Sequence, residues 1–390
     1  MSDSLTRKQF LGRAAKGGAM VAVPGLLAAC GSSIKGAGHR HGSTAPVQRK
    51  LAKTLNFDNW PLYIDVGKNH SHPSLNQFTH QTGVKVNYVE DINDNEEFFG
   101  KIQGPLSHGQ GVGADLIVMT DDSGFPARMI ELGWLQKIYK PAIPNIKNLV
   151  PKQRHPAWDP NRDYSLPWQT GMTGIGYDPH KVGYELDSVE KLLTDPKLKG
   201  KITLLSDLPG TMTLIMGANG DDPANVTKAS WNRAIKRLEK ANNSGQIRQF
   251  TGNDYASLLA NGDIYAAFAW SGDLVQLAAD HPNLTWKLPT TGGEIWTDNM
   301  LIPLGGNVYT ASTYMNFVYE PKIAAEIEAY VNYICPVLGA DKVLLKSSPS
   351  IAKNPLIFPT AKEYDNTVEF DVRAANNPSY KNQFQNIVGA

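Results

Sequence analysis

The 390-residue chain lacks several features that identify common classes of protein. It has only two cysteines, Cys30 and Cys335, too few for a framework of disulfide bonds. Its 38 lysine and arginine residues almost balance its 37 aspartate and glutamate residues, so the basic excess of a nucleic-acid-binding protein is missing. We therefore expect no nucleic-acid partner, and any preference for a charged ligand must come from a local group of residues.

Sequence motifs of catalysis are missing as well. The chain contains no nucleophile elbow, no glycine-rich phosphate loop after a strand and no His/Cys set with zinc spacing. His39 and His41 alone make a weak metal site. Asp121 and Asp122, which are adjacent to each other in the sequence, are a pair of carboxylates that is able in principle to support acid–base chemistry. The expectation is a protein that is not an enzyme and that has neither a cofactor nor a metal ion.

The N-terminal region has the composition of an export signal. Basic residues within the first 16 positions precede an uncharged stretch over residues 17–29 that is too short to span a bilayer, so residues 1–29 predict a signal peptide. Residues 6–11 (TRKQFL) look like a twin-arginine signal with lysine as the second basic residue, which leaves the export route open. Residues 27–31 (LAACG) resemble a lipobox, which predicts a lipid anchor at Cys30. Residues 30–53 are then expected to be a flexible tether.

From residue 54 onward, strand-like and helix-like segments alternate, which predicts an α/β fold. Residues 73–82 and a segment that starts at Pro321 predict helices, Asp94 has the position of a helix cap, and residues 202–205 predict a strand. The length of the chain favours two lobes over a single core. The apolar run at 115–119 is typical of a buried strand, and the polar residues after it stand at the carboxyl end of that strand, where ligands bind in open α/β sheets. Cys335 is expected to be a small buried side chain.

Six short segments recur here in the order and spacing of a known family: NWPLY (59–63), DLIV (115–118), YSLP (164–167), GIGY (174–177), AWSGD (269–273) and WTDNMLIP (296–303). The chain thereby resembles the spermidine/putrescine-binding proteins of polyamine ABC importers from residue 54 to the C-terminus. The resemblance implies a two-lobed periplasmic-binding-protein-like fold, each lobe a mixed sheet flanked by helices, that closes on its ligand. It implies residues 54–166 and 297–341 in lobe 1, residues 167–296 and 342–390 in lobe 2, and two crossover segments as the hinge.

The same resemblance implies a monomeric receptor on the outer face of the cell membrane that captures a polyamine and delivers it to ABC permease subunits. A polyamine needs carboxylates for its ammonium groups and aromatic surfaces for its methylenes. By position, Asp273 and Asp298 match ammonium-binding carboxylates. The residues expected to bind the ligand are Trp60, Tyr63, Thr120, Asp121, Asp122, Trp270, Asp273, Trp296, Asp298 and Tyr333.

Alternatives remain for several of these residues. Tryptophans in a large α/β protein are usually core residues, and Asp273 has the position of a helix cap. At the two acidic positions of the spermidine-preferring pattern, this chain has Leu208 and Thr211. Asp121 and Asp122 would then replace the missing charges, which leaves the choice among polyamines open. The alternative functions are the same fold with another small organic cation or solute, and a surface lipoprotein without a transport role.

Overall fold

The computed structural model describes residues 47–92 and 94–389. The predicted signal peptide, Cys30 and the tether up to residue 46 lie outside the described residues. Within those two ranges, no helix is both long and apolar enough to cross a membrane.

In the described part of the chain, eleven strands join one mixed sheet. Their bounds are β1 (Thr54–Asn59), β2 (Lys85–Glu90), β3 (Leu116–Thr120), β4 (Leu135–Gln136), β5 (Ser165–Tyr177), β6 (Ile202–Leu205), β7 (Ile247–Thr251), β8 (Ala266–Trp270), β9 (Thr285–Lys287), β10 (Gly293–Pro303) and β11 (Thr367–Val368).

Helices alternate with these strands along the chain. They are α1 (Pro73–Thr82), α2 (Asn95–Ser107), α3 (Phe125–Glu131), α4 (Pro179–Val182), α5 (Val189–Thr194), α6 (Leu208–Ala218), α7 (Lys228–Asn243), α8 (Tyr255–Asn261), α9 (Ser271–Asp280), α10 (Val308–Val318), α11 (Pro321–Val331), α12 (Ala340–Ser347), α13 (Pro349–Ala352), α14 (Ala361–Asp365), α15 (Val372–Ala375) and α16 (Pro378–Val388). Short 3₁₀ turns occupy Lys68–His70, Lys140–Ala142, Pro144–Asn148, Pro151–Gln153 and Pro196–Leu198.

The two long strands β5 and β10 connect the halves of the sheet. The strand order is β2-β1-β3-β10-β5-β8-β6-β7, with β4 and β11 also paired to β10 and β9 paired to β5. β10 is antiparallel to β3 and to β5, whereas β1 is parallel to β2 and β3, and β6 is parallel to β7 and β8. The predicted mixed α/β class is confirmed, and the strands of both lobes share hydrogen bonds through this central pair.

Two large hydrophobic cores lie on either side of the central pair. The first core packs around Phe57 and Tyr314, and the second packs around Trp231 and Phe268. Trp270, at the end of β8, is partly buried against both cores. Separate cores of this kind are what makes two lobes, because each lobe buries its own apolar surface.

Several elements begin where the sequence predicts them. Helix α1 has its predicted bounds of residues 73–82, and α11 begins at Pro321. Asp94 caps α2 by accepting hydrogen bonds from the backbone N–H groups of Glu96 and Glu97 at 2.7 and 3.0 Å. Cys335 is 5% exposed, as expected of a small buried side chain.

The predicted bounds of the two lobes stay a prediction. The core to which each residue packs favours a later position for the last of these bounds, the one predicted at residue 342. Along β5, Leu166 belongs to the first core and Ile175 to the second, so the chain passes between lobes within this strand. Leu344 packs in the first core, whereas Phe370 packs in the second. We therefore propose that the last crossing lies between residues 344 and 370, later than the predicted boundary at 342.

Candidate functional site

A cleft of about 970 Å³ opens between the two cores. Among the described residues that line it are nine Asp or Glu side chains and no Lys or Arg. Because the whole chain is nearly neutral, this is a strong local concentration of negative charge. Of the ten residues predicted to bind a ligand, nine line this cleft: Trp60, Tyr63, Thr120, Asp122, Trp270, Asp273, Trp296, Asp298 and Tyr333.

Asp298 is held on the central strand β10 by two hydroxyl groups from the first lobe. The Tyr63 hydroxyl donates to Oδ2 and the Thr120 hydroxyl donates to Oδ1, both at 2.7 Å. Thr120 faces Asp298 because β3 and β10 pair in that register, and its hydroxyl accepts a hydrogen bond from Asn95 Nδ2 at 2.7 Å. Burial raises the pKa of Asp298 to about 6, against the opposing effect of these two hydrogen bonds.

Asp273 is held in the first turn of α9 by side chains from both lobes. Its Oδ2 accepts hydrogen bonds from Tyr255 at 2.6 Å and Asn253 at 3.1 Å, and its Oδ1 accepts one from Tyr333 at 2.7 Å. The alternative role of helix cap is wrong, because the cap residue of α9 is Trp270 and no side chain caps the helix. Burial raises the pKa of Asp273, and the three hydrogen bonds oppose that shift.

The two carboxylates are connected by the aromatic rings of their partners. Tyr63 and Tyr333 meet edge to face, with ring centroids 5.2 Å apart. Tyr333 follows directly after α11, which ends because Asn332 adopts a left-handed conformation with φ of 59°. The Tyr333 ring reaches Asp273 across Gly272, where a Cβ atom would stand 2.2 Å from a ring carbon. A side chain at position 272 would therefore displace the tyrosine.

Three tryptophans form apolar walls of the cleft. The ring centroids of Trp270 and Trp296 are 6.2 Å apart, with an angle of 76° between the ring planes. The ring centroids of Trp296 and Tyr333 are 5.8 Å apart. The indole of Trp296 lies over the backbone of Gly171, where there is no room for a Cβ atom, and its Nε1 donates to Thr173 Oγ1 at 3.1 Å. Trp60 and Trp270 are half-buried and face the cavity, so these indoles pack against the cores and also line the cleft.

Asp121 and Asp122 have different surroundings, although both were predicted to bind the ligand. Asp122 lines the cleft. Asp121 is not among the lining residues, and its Oδ1 instead accepts a hydrogen bond from the backbone N–H of Thr297 at 2.9 Å. Burial raises the pKa of Asp121 to about 7. We therefore leave Asp121 out of the ligand-binding set that is proposed below.

The positions of the absent acids, Leu208 and Thr211, belong to helix α6. Thr211 is fully buried and its hydroxyl donates to the Leu205 carbonyl at 2.8 Å, while Leu208 packs against the second core. Neither lines the cleft. Asp207 does line it, and it caps α6 by accepting from the backbone N–H of Gly210 at 2.7 Å.

Four polar residues around the carboxylates are not predicted from the sequence: Asn95, Asn253, Tyr255 and Glu294. Asn95 and Asn253 stand at or just before helix starts, where short polar residues are common, so their position gave no special signal. Glu294 stands two residues before Trp296 on β10, and period-2 alternation places it on the same face as Trp296 and Asp298. That alternation was the one signal in the sequence that could have found it.

A cleft between two lobes that is rich in indoles and carboxylates is typical of a binding protein for a small solute. The family model of the bacterial extracellular solute-binding proteins matches residues 74–360, and the chain belongs to this family.

Relatives and solved structures agree with this assignment. The spermidine/putrescine-binding periplasmic protein of Escherichia coli K12 is 28% identical over 343 residues, covering 86% of this chain and 91% of the relative. The putrescine-binding periplasmic protein PotF of the same organism is 30% identical over 333 residues, covering 79% and 84%. The structure of the TpPotD lipoprotein of Treponema pallidum has the same fold, with a TM-score of 0.72 at 22% identity over 86% of this chain and 100% of that one.

Proposed function

We propose that this protein is the extracytoplasmic receptor of an ABC importer, which captures a polyamine in the cleft between its lobes and delivers it to the permease. The observation that carries this proposal is the pair of carboxylates, Asp273 and Asp298, that face one cleft whose described lining residues include no Lys or Arg. Asp298 is buried and Asp273 is partly buried. A buried carboxylate without a positive partner is costly, so a cationic ligand is what this site stabilises best.

The aromatic groups between the carboxylates suit the rest of such a ligand. A polyamine carries ammonium groups separated by methylenes, and the indoles of Trp60, Trp270 and Trp296 are able to cover methylenes and to attract cations through their faces, by about 0.5–2 kcal/mol each. The names of the relatives agree with this ligand class. The set that we propose to contact the ligand consists of Trp60, Tyr63, Thr120, Asp122, Trp270, Asp273, Trp296, Asp298 and Tyr333.

The remaining parts of the proposal concern the place and the manner of action. A lipid anchor at Cys30 would keep a monomeric receptor at the outer membrane surface, near the permease that receives its ligand. The protein would bind and release the amine without changing it chemically. The family description of extracellular solute-binding proteins supports this location, whereas the anchor and the export route rest on the sequence pattern.

A calorimetric titration of the purified protein with putrescine, cadaverine, spermidine and spermine tests the ligand class. We expect at least one of these amines to bind with a dissociation constant of about 1 µM or lower, and to raise the melting temperature in a concentration-dependent way. The matched control is 4-aminobutyrate, which has the same chain length as putrescine but carries a carboxylate that the acidic cleft would repel. Equal binding of 4-aminobutyrate, or no binding of any amine, would contradict the proposal.

A further inference from the structure

One ion pair outside the lining of the cleft joins residues that pack on opposite sides of the two central strands. Lys381 on α16 is paired with Glu96 on α2, with Nζ and Oε1 2.7 Å apart. Each of the other seven ion pairs among the described residues joins two residues on the same side of β5 and β10. The pair of Lys381 and Glu96 therefore couples the two lobes directly.

Helix α16 is fixed to the second core by residues on either side of Lys381. The ring of Tyr380 stacks on the indole of Trp231, with centroids 4.2 Å apart and an angle of 10° between the ring planes. Trp231 Nε1 donates to Gln383 Oε1 at 3.0 Å, and Phe384 is fully buried in the second core. Lys381 is therefore carried by the second lobe.

The groups that Lys381 contacts belong to the first lobe. Glu96 stands in the first turn of α2, and Phe99 of the same helix stacks on Phe125 of α3 with ring centroids 4.2 Å apart. Both rings pack in a smaller apolar cluster with Ile117 of β3. Nζ of Lys381 lies 4.5 Å from the centroid of the Phe125 ring. One ammonium group thus contacts a carboxylate and an aromatic face, and because its side chain is only 23% exposed, solvent screens these contacts in part.

A second contact at the same edge brings the two lobes close together. Asn376 follows Ala374 and Ala375, which pack in the second core, and it lies against Gly124 at the start of α3. The side-chain amide of Asn376 occupies the place where a Cβ atom of residue 124 would stand. Gly124 also has a φ of 72°, in the left-handed region that favours glycine. The chain therefore has its smallest residue where the lobes meet.

This edge of the lobes is connected to the ligand site through α2. Asn95, which precedes Glu96, donates to the Thr120 hydroxyl at 2.7 Å, and that hydroxyl donates to Asp298 at 2.7 Å. Neither Glu96 nor Lys381 lines the cleft. Their effect on a bound ligand is therefore indirect, through the relative position of the two lobes.

We propose that Lys381, Glu96 and Phe125 form a latch that holds the two lobes closed over the bound amine, and that Lys381 is a positioning residue for ligand capture. The latch forms when the lobes close and breaks when they open, so it stabilises the ligand-bound arrangement relative to the open one. A contact that is made after the ligand has entered slows release and leaves association unchanged. This inference rests on the proposed function, because the amine is the ligand on which the lobes close.

Lys381→Met is the direct test, since methionine keeps most of the length of the side chain and removes the charge. Calorimetric titration should show spermidine and putrescine binding about fivefold more weakly, by the same factor for both, because the latch does not contact the ligand. The matched control is Lys101→Met. Lys101 pairs with Asp91 and lies over the ring of Phe98 at 5.6 Å, but all three residues are in the first lobe. This control should change either affinity by less than about 1.5-fold, because its contacts are the same in the open and closed forms.

Glu96→Gln tests the other half of the latch, and it takes the place of Lys381→Met if that variant fails to fold. It should weaken the binding of both amines about threefold, since it removes the ion pair but keeps the contact with Phe125. Glu97→Gln is its matched control, because Glu97 is the next residue in the same turn of α2 and is equally exposed to solvent, but does not pair with Lys381. Equal losses in the two glutamine variants would mean that the negative field near the cleft attracts the amine, and would rule out the latch.

Release rates separate a latch from a merely structural role. Stopped-flow measurement of tryptophan fluorescence gives the rate constants of spermidine association and dissociation. Lys381→Met should raise the dissociation rate constant about fivefold and leave the association rate constant within about 1.5-fold. Lys381→Arg should restore slow release, because arginine keeps the charge and the attraction to the Phe125 ring.

An unchanged release rate in Lys381→Met, or a loss of affinity that comes from slower association, would overturn the latch and leave the proposed function intact. Failure of the unsubstituted protein to bind any amine would overturn the proposed function, and the latch with it, since the latch belongs to the amine-bound form.

Discussion

Replacing Asp298 by asparagine is expected to weaken the binding of putrescine and spermidine about hundredfold. The substitution keeps the shape of the side chain but removes the charge that faces the cleft. It also places an amide group against the hydroxyls of Tyr63 and Thr120, which both donate to the carboxylate at 2.7 Å. Losing one partner of a buried charged pair costs about 2–5 kcal/mol of binding free energy. A hundredfold increase in the dissociation constant corresponds to about 2.7 kcal/mol, which lies within this range. Calorimetric titration of the variant measures the effect.

Asp121→Asn is the matched control, since it makes the same chemical change in a nearby, partly buried carboxyl that does not line the cleft. It should change the affinity by less than threefold. The pH dependence gives an independent signature of Asp298, because an ammonium binds only its ionised form. With a pKa of about 6, Asp298 is ionised above that pH, and affinity should fall up to tenfold per pH unit as the pH drops below 6. Equal affinities in the two variants at pH 7.5 would rule out Asp298 as a ligand contact.

The second large effect is expected at Asp273, where the asparagine variant should lose about thirtyfold in affinity for both amines. Asp273 accepts three hydrogen bonds and still faces the cavity, so it keeps a free acceptor direction for one ammonium. In the unsubstituted protein, the tyrosine hydroxyls donate to the carboxylate oxygens of Asp273. In the variant, the NH₂ group of asparagine would face at least one of these hydroxyls in place of an oxygen. We therefore expect loss of the charge together with loss of one of the hydrogen bonds that Tyr255 and Tyr333 donate to Asp273.

Asp280→Asn controls for the general negative potential of the cleft, since Asp280 ends the same helix and lines the cleft but is exposed. Exposed charges are screened by salt, so this variant should lose less than threefold. Thirtyfold weaker binding in both variants would mean that the field of the cleft, and not a specific contact at Asp273, holds the ligand.

The segment AWSGD shows how far a sequence can predict such a site. Its apolar residues end a buried strand and its small residues begin a helix, and the structure has β8 ending at Trp270 and α9 beginning at Ser271. The sequence could not decide whether Asp273 caps that helix or faces the cleft. The decision depends on Tyr333, which lies 60 positions further along the chain and reaches the carboxylate across Gly272.

Other parts of the site were beyond prediction for a related reason. Local patterns predicted α1, β6 and the start of α11 because propensities and caps act over a few residues. The groups that hold the carboxylates depend on how distant loops meet after folding; examples are Tyr255, which donates to Asp273, and Asn95, which donates to the Thr120 hydroxyl beside Asp298. Asp121 and Asp122 are neighbours in sequence, yet one binds the backbone of Thr297 and the other lines the cleft. A one-residue offset at the end of a strand reverses the direction of a side chain.

In the function that we propose, acids and indoles from both lobes together replace the water around one elongated amine. A crystal structure of the protein grown with spermidine tests it most directly. We predict one amine nitrogen within hydrogen-bonding distance of the Asp298 carboxylate, another within hydrogen-bonding distance of Asp273, and methylenes in contact with the ring of Trp270 or Trp296. A spermidine molecule bound outside this cleft, or an occupied cleft in which neither carboxylate contacts an amine, would contradict the account.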